Sequence, residues 1–144
     1  MKQRVAGLDV GSKRIGVAVS DALHLTAQPL TVVERASVVR DIARILEVLS
    51  QYDVARVVVG LPLQMDASEG DQAARVRKFA DAFGESSGIE VVYQDERLTT
   101  VAGERLLIES GMRRARRRNV IDKMAATLIL QAYLDAQPVS ETSS

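Results

Sequence analysis

Two short runs rich in β-formers, RVAGLDV and RIGVAVSD, flank the turn residues Gly11, Ser12 and Lys13. That pattern predicts a β-hairpin. AQPLTVVE, residues 27–34, predicts a third strand, with Pro29 near its start where a missing N–H costs least. Between Ser37 and Tyr52 apolar side chains recur at Val38, Ile42, Ile45, Leu46 and Leu49, which is helical spacing. ARVVVG, residues 55–60, is a continuous apolar run stopped by Gly60 and Pro62, as suits a strand buried on both faces. A second helix is predicted over 68–85, with Ala73, Val76, Ala80 and Phe83 inward and Arg75, Lys78 and Asp81 outward. IEVVYQDE, residues 89–96, predicts a fifth strand. A third helix is expected over 99–110, ending at Gly111, after which MRRARRRN reads as a basic loop. A last helix over 120–136 precedes the polar tail QPVSETSS, which is expected to be disordered.

Three strands followed by helix–strand alternation imply an α/β fold: a mixed five-stranded sheet with helices on both faces, in three layers. That order resembles a ribonuclease-H-like domain. No repeat or linker divides the chain, so residues 1–136 read as one domain and 137–144 as a tail. The absence of cysteine excludes disulfides, zinc-thiolate sites and a cysteine nucleophile. No apolar run approaches the roughly 20 residues that span a bilayer, and MKQRVAGLDV lacks the apolar core of a signal peptide. A cytoplasmic protein without membrane partners is expected.

Basic and acidic residues balance at 19 each, so net charge names no partner. Their distribution is uneven. Arg105, Arg113, Arg114, Arg116, Arg117, Arg118 and Lys123 are accompanied over their span only by Glu109 and Asp122. Such a cluster makes a local positive field that attracts polyanions.

Asp9 interrupts an apolar strand, where a carboxylate needs a cation, a metal or a hydrogen-bond donor. Pairing with Lys13 or Arg14, or capping of the hairpin, would satisfy it equally well. Asp122 has Ala125, Ala126 and Ile129 at three, four and seven residues onward, while Lys123, Thr127 and Gln131 mark the polar face. It therefore begins the stripe expected to face the sheet. Asp95 and Glu96 are adjacent at a strand end and leave by opposite faces, so only one can readily join Asp9. Periodicity leaves that choice open. Three converging carboxylates repel one another unless hard cations intervene, and Mg²⁺ and Mn²⁺ favour oxygen ligands. Two such ions can clamp the attacking water and the leaving oxygen of a phosphodiester. Lone His24 reads as a surface loop residue.

GLDVGSKRIGVAVSD, VVVGLPLQMDASEG, DERLTT and IDKMAATLILQAYLD, in this order, resemble the motifs of the YqgF/RuvX family of ribonuclease-H-like nucleases. The resemblance covers residues 1 to 135. It implies 5′-end processing of precursor small-subunit ribosomal RNA or resolution of Holliday junctions, with a pair of Mg²⁺ or Mn²⁺ ions held when substrate is bound. By position it implies Asp9, Glu96 and Asp122 as the catalytic and metal-holding set, and so takes Glu96 over Asp95. Two departures stand in the central loop: Gln64 where Asn is usual, and Ala67 where Gly is usual. They bear on loop conformation and substrate fit rather than on metal chemistry.

Lys13 and Arg14 follow the hairpin turn, where they can hold a phosphate or simply be solvated. GLPLQMDASEG joins a strand to a helix and can offer backbone N–H groups to a phosphate, or be a connection capped by Asp66 or Ser68. Arg113, Arg114, Arg116, Arg117 and Arg118 suit bidentate phosphate contacts and lead into Asp122. With aromatic residues at 3%, backbone and shape recognition of branched DNA or precursor RNA should outweigh base stacking. Paired cuts on a four-way junction would call for a homodimer. Two other classes compete. DVGSKRIGVA also resembles the first phosphate loop of actin-like ATPases, but those need a second domain that 144 residues cannot supply. A non-catalytic nucleic-acid-binding module would gain nothing from three carboxylates.

Overall fold

In the computed structural model, residues 3–97, 109, 111 and 113–137 are described, without the side chains of 114, 115 and 117–123. The expected helix over 99–110, apart from residue 109, and the tail beyond residue 137 lie outside the described residues.

The hairpin forms as the pattern predicts. Strands β1 (Arg4–Val10) and β2 (Arg14–Ser20) pair antiparallel, with Asp9 opposite Gly16. The turn between them is closed by the Gly11 N–H donating to the Arg14 carbonyl at 2.9 Å. Strand β3 (Ala27–Glu34) adds antiparallel to β2. Strand β4 (Val54–Leu61) lies parallel to β1, and β5 (Glu90–Asp95) parallel to β4. The sheet is mixed, in the order β3-β2-β1-β4-β5.

Alternation along the strands divides the core in two. Ala6, Leu8, Val10, Ile15, Val17, Val57 and Val59 point to one face, covered by helices α1 (Val38–Leu49) and α2 (Asp71–Ser87) through Ile42, Ile45, Val76, Phe79 and Phe83. Val5, Ala18 and Val58 point to the other, against Ala126, Ile129, Leu130 and Leu134 of helix α3 (Arg114–Ala136). Helices therefore do cover both faces. Ser37 caps α1, its hydroxyl accepting from the Arg40 N–H at 3.2 Å. Gly88 ends α2 at φ 73°, a left-handed value that glycine adopts without strain. Asp41, almost fully buried, accepts from Arg35 at 3.2 Å and from the Ala36 N–H at 2.9 Å. Arg35 in turn donates to the Gly11 carbonyl, tying α1 to the hairpin turn.

Two expectations about α3 change. The arginine run is not a loop: α3 begins at Arg114, with Arg113 extended at its N-cap. Gly111, at φ 81°, breaks the chain just before it, and arginine is itself a good helix former. Nor do Thr127 and Gln131 mark a solvent face. Thr127 is buried, and Gln131 spans to the start of β3, accepting from the Ala27 N–H at 2.9 Å and donating to the Leu25 carbonyl at 3.0 Å.

Candidate active site

The carboxyl ends of β1, β4 and β5 come together where parallel strands of an open α/β sheet ordinarily present their chemistry. Asp9 is the next-to-last residue of β1 and shares a face with Val5, on the side that carries α3. Its cross-strand partner is Gly16, and a Cβ placed at residue 16 would lie 3.8 Å from the Asp9 Cβ and 3.3 Å from the Ala126 Cβ. Helix α3 thus passes within a methyl group of the acidic strand end. Its direction follows from the same contacts, because Leu130 packs over Gly7, earlier in β1, and Ala126 over Gly16. The helix backbone one turn before Ala126, which carries Asp122, lies beyond Ala126 toward the Asp9 end of the strand. The Asp122 side chain is outside the described residues.

Glu96 follows β5 directly, its N–H donating to the Leu61 carbonyl at 3.3 Å. A Cβ on Gly60 would stand 2.5 Å from the Glu96 Oε2 and collide with Ile129. Glycine there lets the carboxylate lie over β4, on the face of Asp9. Burial pushes the Glu96 carboxyl up to about 7, and the negative charges of Asp9 and Asp95 add to the rise. Desolvation and a like charge act in the same direction, so this group holds its proton up to near neutral pH and releases it more readily when positive charge arrives.

Asp95 takes the other route. Arg97 binds it bidentately, Nη2 to Oδ2 at 2.7 Å and Nε to Oδ1 at 3.1 Å, and the guanidinium holds the carboxyl below its usual value. Of the adjacent pair, Glu96 is the one whose carboxyl is raised by the Asp9 charge, while Asp95 is engaged by its own neighbour. Arg97 also donates to the carbonyls of Gln64 and Met65 at 3.2 and 3.1 Å. Reading the sequence had given Arg97 no role beyond a letter in DERLTT, although its position next to a strand-end acidic pair was a usable signal.

The basic candidates are spread around this edge. Lys13 is exposed in the hairpin turn. Arg14 is engaged across the sheet by Glu34 at 3.2 Å, both side chains well exposed, so it is available to a phosphate only by exchange of partners. Arg113 and Arg116 are exposed at the start of α3. Arg114, Arg117 and Arg118 lie on the same helical turns, with side chains outside the described residues. No acidic residue occupies that first turn, where the positive end of the helix dipole already disfavours arginine. The charge run is thus held against local electrostatic preference, and a polyanion would relieve it.

Hard oxygen donors and a carboxyl group raised by burial and a like-charged neighbour are a donor set that fits Mg²⁺ or Mn²⁺. Among the described residues Asp9 and Glu96 supply it from this edge. His24 is in an exposed turn at φ 61°, bonded to the Gln3 carbonyl.

Residues 3–136 match the family model described as RuvX: Holliday junction resolvase. A Myxococcus xanthus (strain DK1622) protein named "Putative pre-16S rRNA nuclease" is 53% identical over 139 residues, 96% of this chain and 92% of that one. A protein of the same name from Symbiobacterium thermophilum is 52% identical over 134 residues, 93% of each chain. Among solved structures, T. thermophilus RuvC in complex with a Holliday junction substrate is similar at TM-score 0.61 and 23% identity, over 93% of this chain and 94% of that one. The fowlpox virus Holliday junction resolvase is similar at TM-score 0.53 and 17% identity, over 94% and 100%. At these identities the structural likeness speaks for the fold, that of the RuvC-like, ribonuclease-H-like resolvases.

Proposed function

The chain belongs to the RuvX family, described for its members as Holliday junction resolvases and pre-16S rRNA nucleases, and from that membership we propose that it is a divalent-metal-dependent nuclease hydrolysing phosphodiester bonds in structured nucleic acid. The observation that carries the proposal is the Glu96 carboxyl, raised to about 7 by burial and by Asp9 at the carboxyl edge of the sheet. Carboxyl groups raised by burial and a like charge in this way cluster at functional sites.

In this reading Asp9 and Glu96, with Asp122 from α3, hold Mg²⁺ or Mn²⁺. Bound there, two such ions would lower the pKa of a coordinated water and neutralise the developing charge on the leaving oxygen. The chain's own residues do the rest. With its carboxyl raised to about 7, Glu96 is partly protonated near neutral pH when the site is empty, and a cation held there favours its charged form. Gly60 leaves room for the Glu96 carboxylate and fixes its height over the sheet. Arg113, Arg114, Arg116, Arg117 and Arg118 grip phosphates along the strand, while Lys13 and Arg14 take those nearest Asp9. Such contacts fix register and carry no base information.

Names of relatives favour precursor 16S rRNA as the substrate, with 5′-end processing in the cytoplasm as our reading of it, and the resolvase description favours a four-way junction, for which a two-fold dimer would deliver paired cuts. Among the described residues no helix is long and apolar enough to cross a membrane. The deciding experiment offers the purified protein a precursor 16S rRNA fragment and a four-way DNA junction, each with Mg²⁺, Mn²⁺ or chelator. Metal-dependent cleavage of one of them, abolished in a folded Asp9→Asn variant, is the expected result. Undiminished cleavage by that variant, or in chelator, refutes the proposal.

A further inference from the structure

We propose that Met65 is a base-contacting wedge, a specificity-determining residue that reads the boundary between stacked and unstacked nucleotides beside the scissile phosphate. The inference rests on the nuclease reading above and adds to it the feature by which structured substrates are told from plain duplex.

Met65 is 92% exposed, the most exposed large apolar side chain among the described residues. A single exposed methionine is unremarkable on a mobile surface loop. The backbone of this one is fixed in a miniature hairpin. Leu63 and Glu69 form an antiparallel bridge, and the Gln64 N–H donates to the Ser68 carbonyl at 2.9 Å. The Ala67 N–H donates to the Gln64 carbonyl at 2.8 Å, which makes Met65 and Asp66 the central residues of the turn. Ser68 is fastened to Gln64 and Asp66 through its hydroxyl and N–H. Ala67 closes the turn at φ 71°, a left-handed conformation that costs a non-glycine residue about 1 kcal/mol or more. Strain of this kind persists where the surroundings over-determine it, commonly at ligand clamps.

The hairpin is also locked to the acidic edge. Arg97, one residue beyond Glu96, donates to the carbonyl of Met65 itself and to that of Gln64 while gripping Asp95. At the far end, Glu69 holds Arg77 bidentately at 2.6 and 2.7 Å, and that guanidinium lies over the Tyr93 ring of β5 at 4.5 Å. An apolar side chain at a turn tip, whose backbone carbonyl is hydrogen-bonded to the residue next to a nuclease carboxylate, has a natural complement in the face of a base. Apolar wedges of this type, methionine among them, insert where bases are already unstacked or cheaply unstacked. Little aromatic surface is available in this chain for the task, and methionine's unbranched, polarisable side chain packs against a ring face of any base.

The test uses full-length protein in chelator, so that it reads binding and not cleavage. Two probes carry 2-aminopurine at the branch or boundary: an RNA stem with a 5′ single-stranded extension, and a four-way DNA junction. Matching uninterrupted duplexes serve as comparison. Wild type should bind at least one branched or boundary probe in preference to its duplex, with a change in 2-aminopurine fluorescence. Met65→Ala should reduce the preference roughly tenfold, in line with apolar and stacking contacts to a base, and abolish the fluorescence change. Duplex affinity should be untouched. Met65→Leu should restore both. Should Met65→Ala keep the full preference and fluorescence change, the wedge is wrong while the nuclease reading stands. If wild type binds neither probe nor duplex, the wedge falls, and the nuclease reading stands or falls by the cleavage assay above.

Discussion

Replacing Glu96 by glutamine should make the metal-free protein more stable, by an amount that depends on pH. The carboxyl titrates near 4.5 when unfolded and about 7 in the fold, so the native state holds the proton more tightly. Between those values the native state carries more protons than the unfolded state, and stability falls as pH rises. The penalty is absent below about 4.5 and complete above about 7. At 1.36 kcal/mol per unit, the rise corresponds to about 3 kcal/mol, a ceiling because Glu96 retains some solvent contact. Glu96→Gln removes the ionisable group and with it the penalty. The variant should match wild type near pH 4.5 and exceed it by roughly 1–3 kcal/mol at pH 8, which is about 3–9 °C in Tm for a chain of this length. Asp9→Asn removes only the second-ranked cause, since burial contributes most, and should give a smaller gain. Urea unfolding in chelator across pH 4.5–8 measures this, with the difference between variant and wild type cancelling every other titrating group. Adding Mg²⁺ at pH 8 should then raise wild-type stability and leave Glu96→Gln almost unmoved. A pH-independent difference, or a destabilised Glu96→Gln at pH 8, would refute the argument.

Gly60→Ala should cost about 1–3 kcal/mol by overpacking against Ile129 and Glu96 and should cut cleavage at least tenfold, whereas Gly84→Ala in α2, whose new Cβ meets Val91 at an ordinary 3.4 Å, should be neutral or stabilising in the same denaturation series. Ala67→Gly should raise stability by roughly 0.5 kcal/mol, the relief of left-handed strain outweighing the greater freedom of unfolded glycine; a loss of stability would show that the turn is not strained. Replacing Arg113, Arg114, Arg116, Arg117 and Arg118 together by alanine should flatten log affinity against log salt by roughly 0.7–0.9 per lost phosphate contact, read by titration at several salt concentrations, with an unchanged slope removing the run from the substrate path.

Much of the fold was legible because each strand carries its own signal: the double-faced burial of β4 is written in its unbroken valines, and the hairpin in Gly11. Asp9 was legible for the opposite reason, as a charge where apolar pattern demanded none. Other features depended on partners distant in sequence. Asp95 and Glu96 could not be told apart by alternation, since the strand ends there and the deciding contact is Arg97 turning back on Asp95. Gln131 looked like a solvent residue because its partner, Ala27, is 104 positions away. The arginine run was misread as a loop because its charge and the break at Gly111 outweighed arginine's helical propensity. Ala67 was visible as a departure from the family's glycine, and its φ of 71° supplies the physical reason glycine is usual there.

Among the described residues, the cover of the Val5, Ala18 and Val58 face comes from α3, the final helix. A ribosome makes that helix after every strand of the sheet. Through most of synthesis the sheet can assemble with α1 and α2 on one side while its other side, floored by valine and glycine, stays wet. Contacts between β1 and α3 close a loop of more than a hundred residues, the slow kind of closure in folding. Until they form, the nascent chain is half-dressed: a sticky sheet face for chaperones to shield, and two carboxylates without the helix that completes their surroundings. Activity then waits on α3, so that products of translation interrupted before it carry the acidic edge but not a finished enzyme.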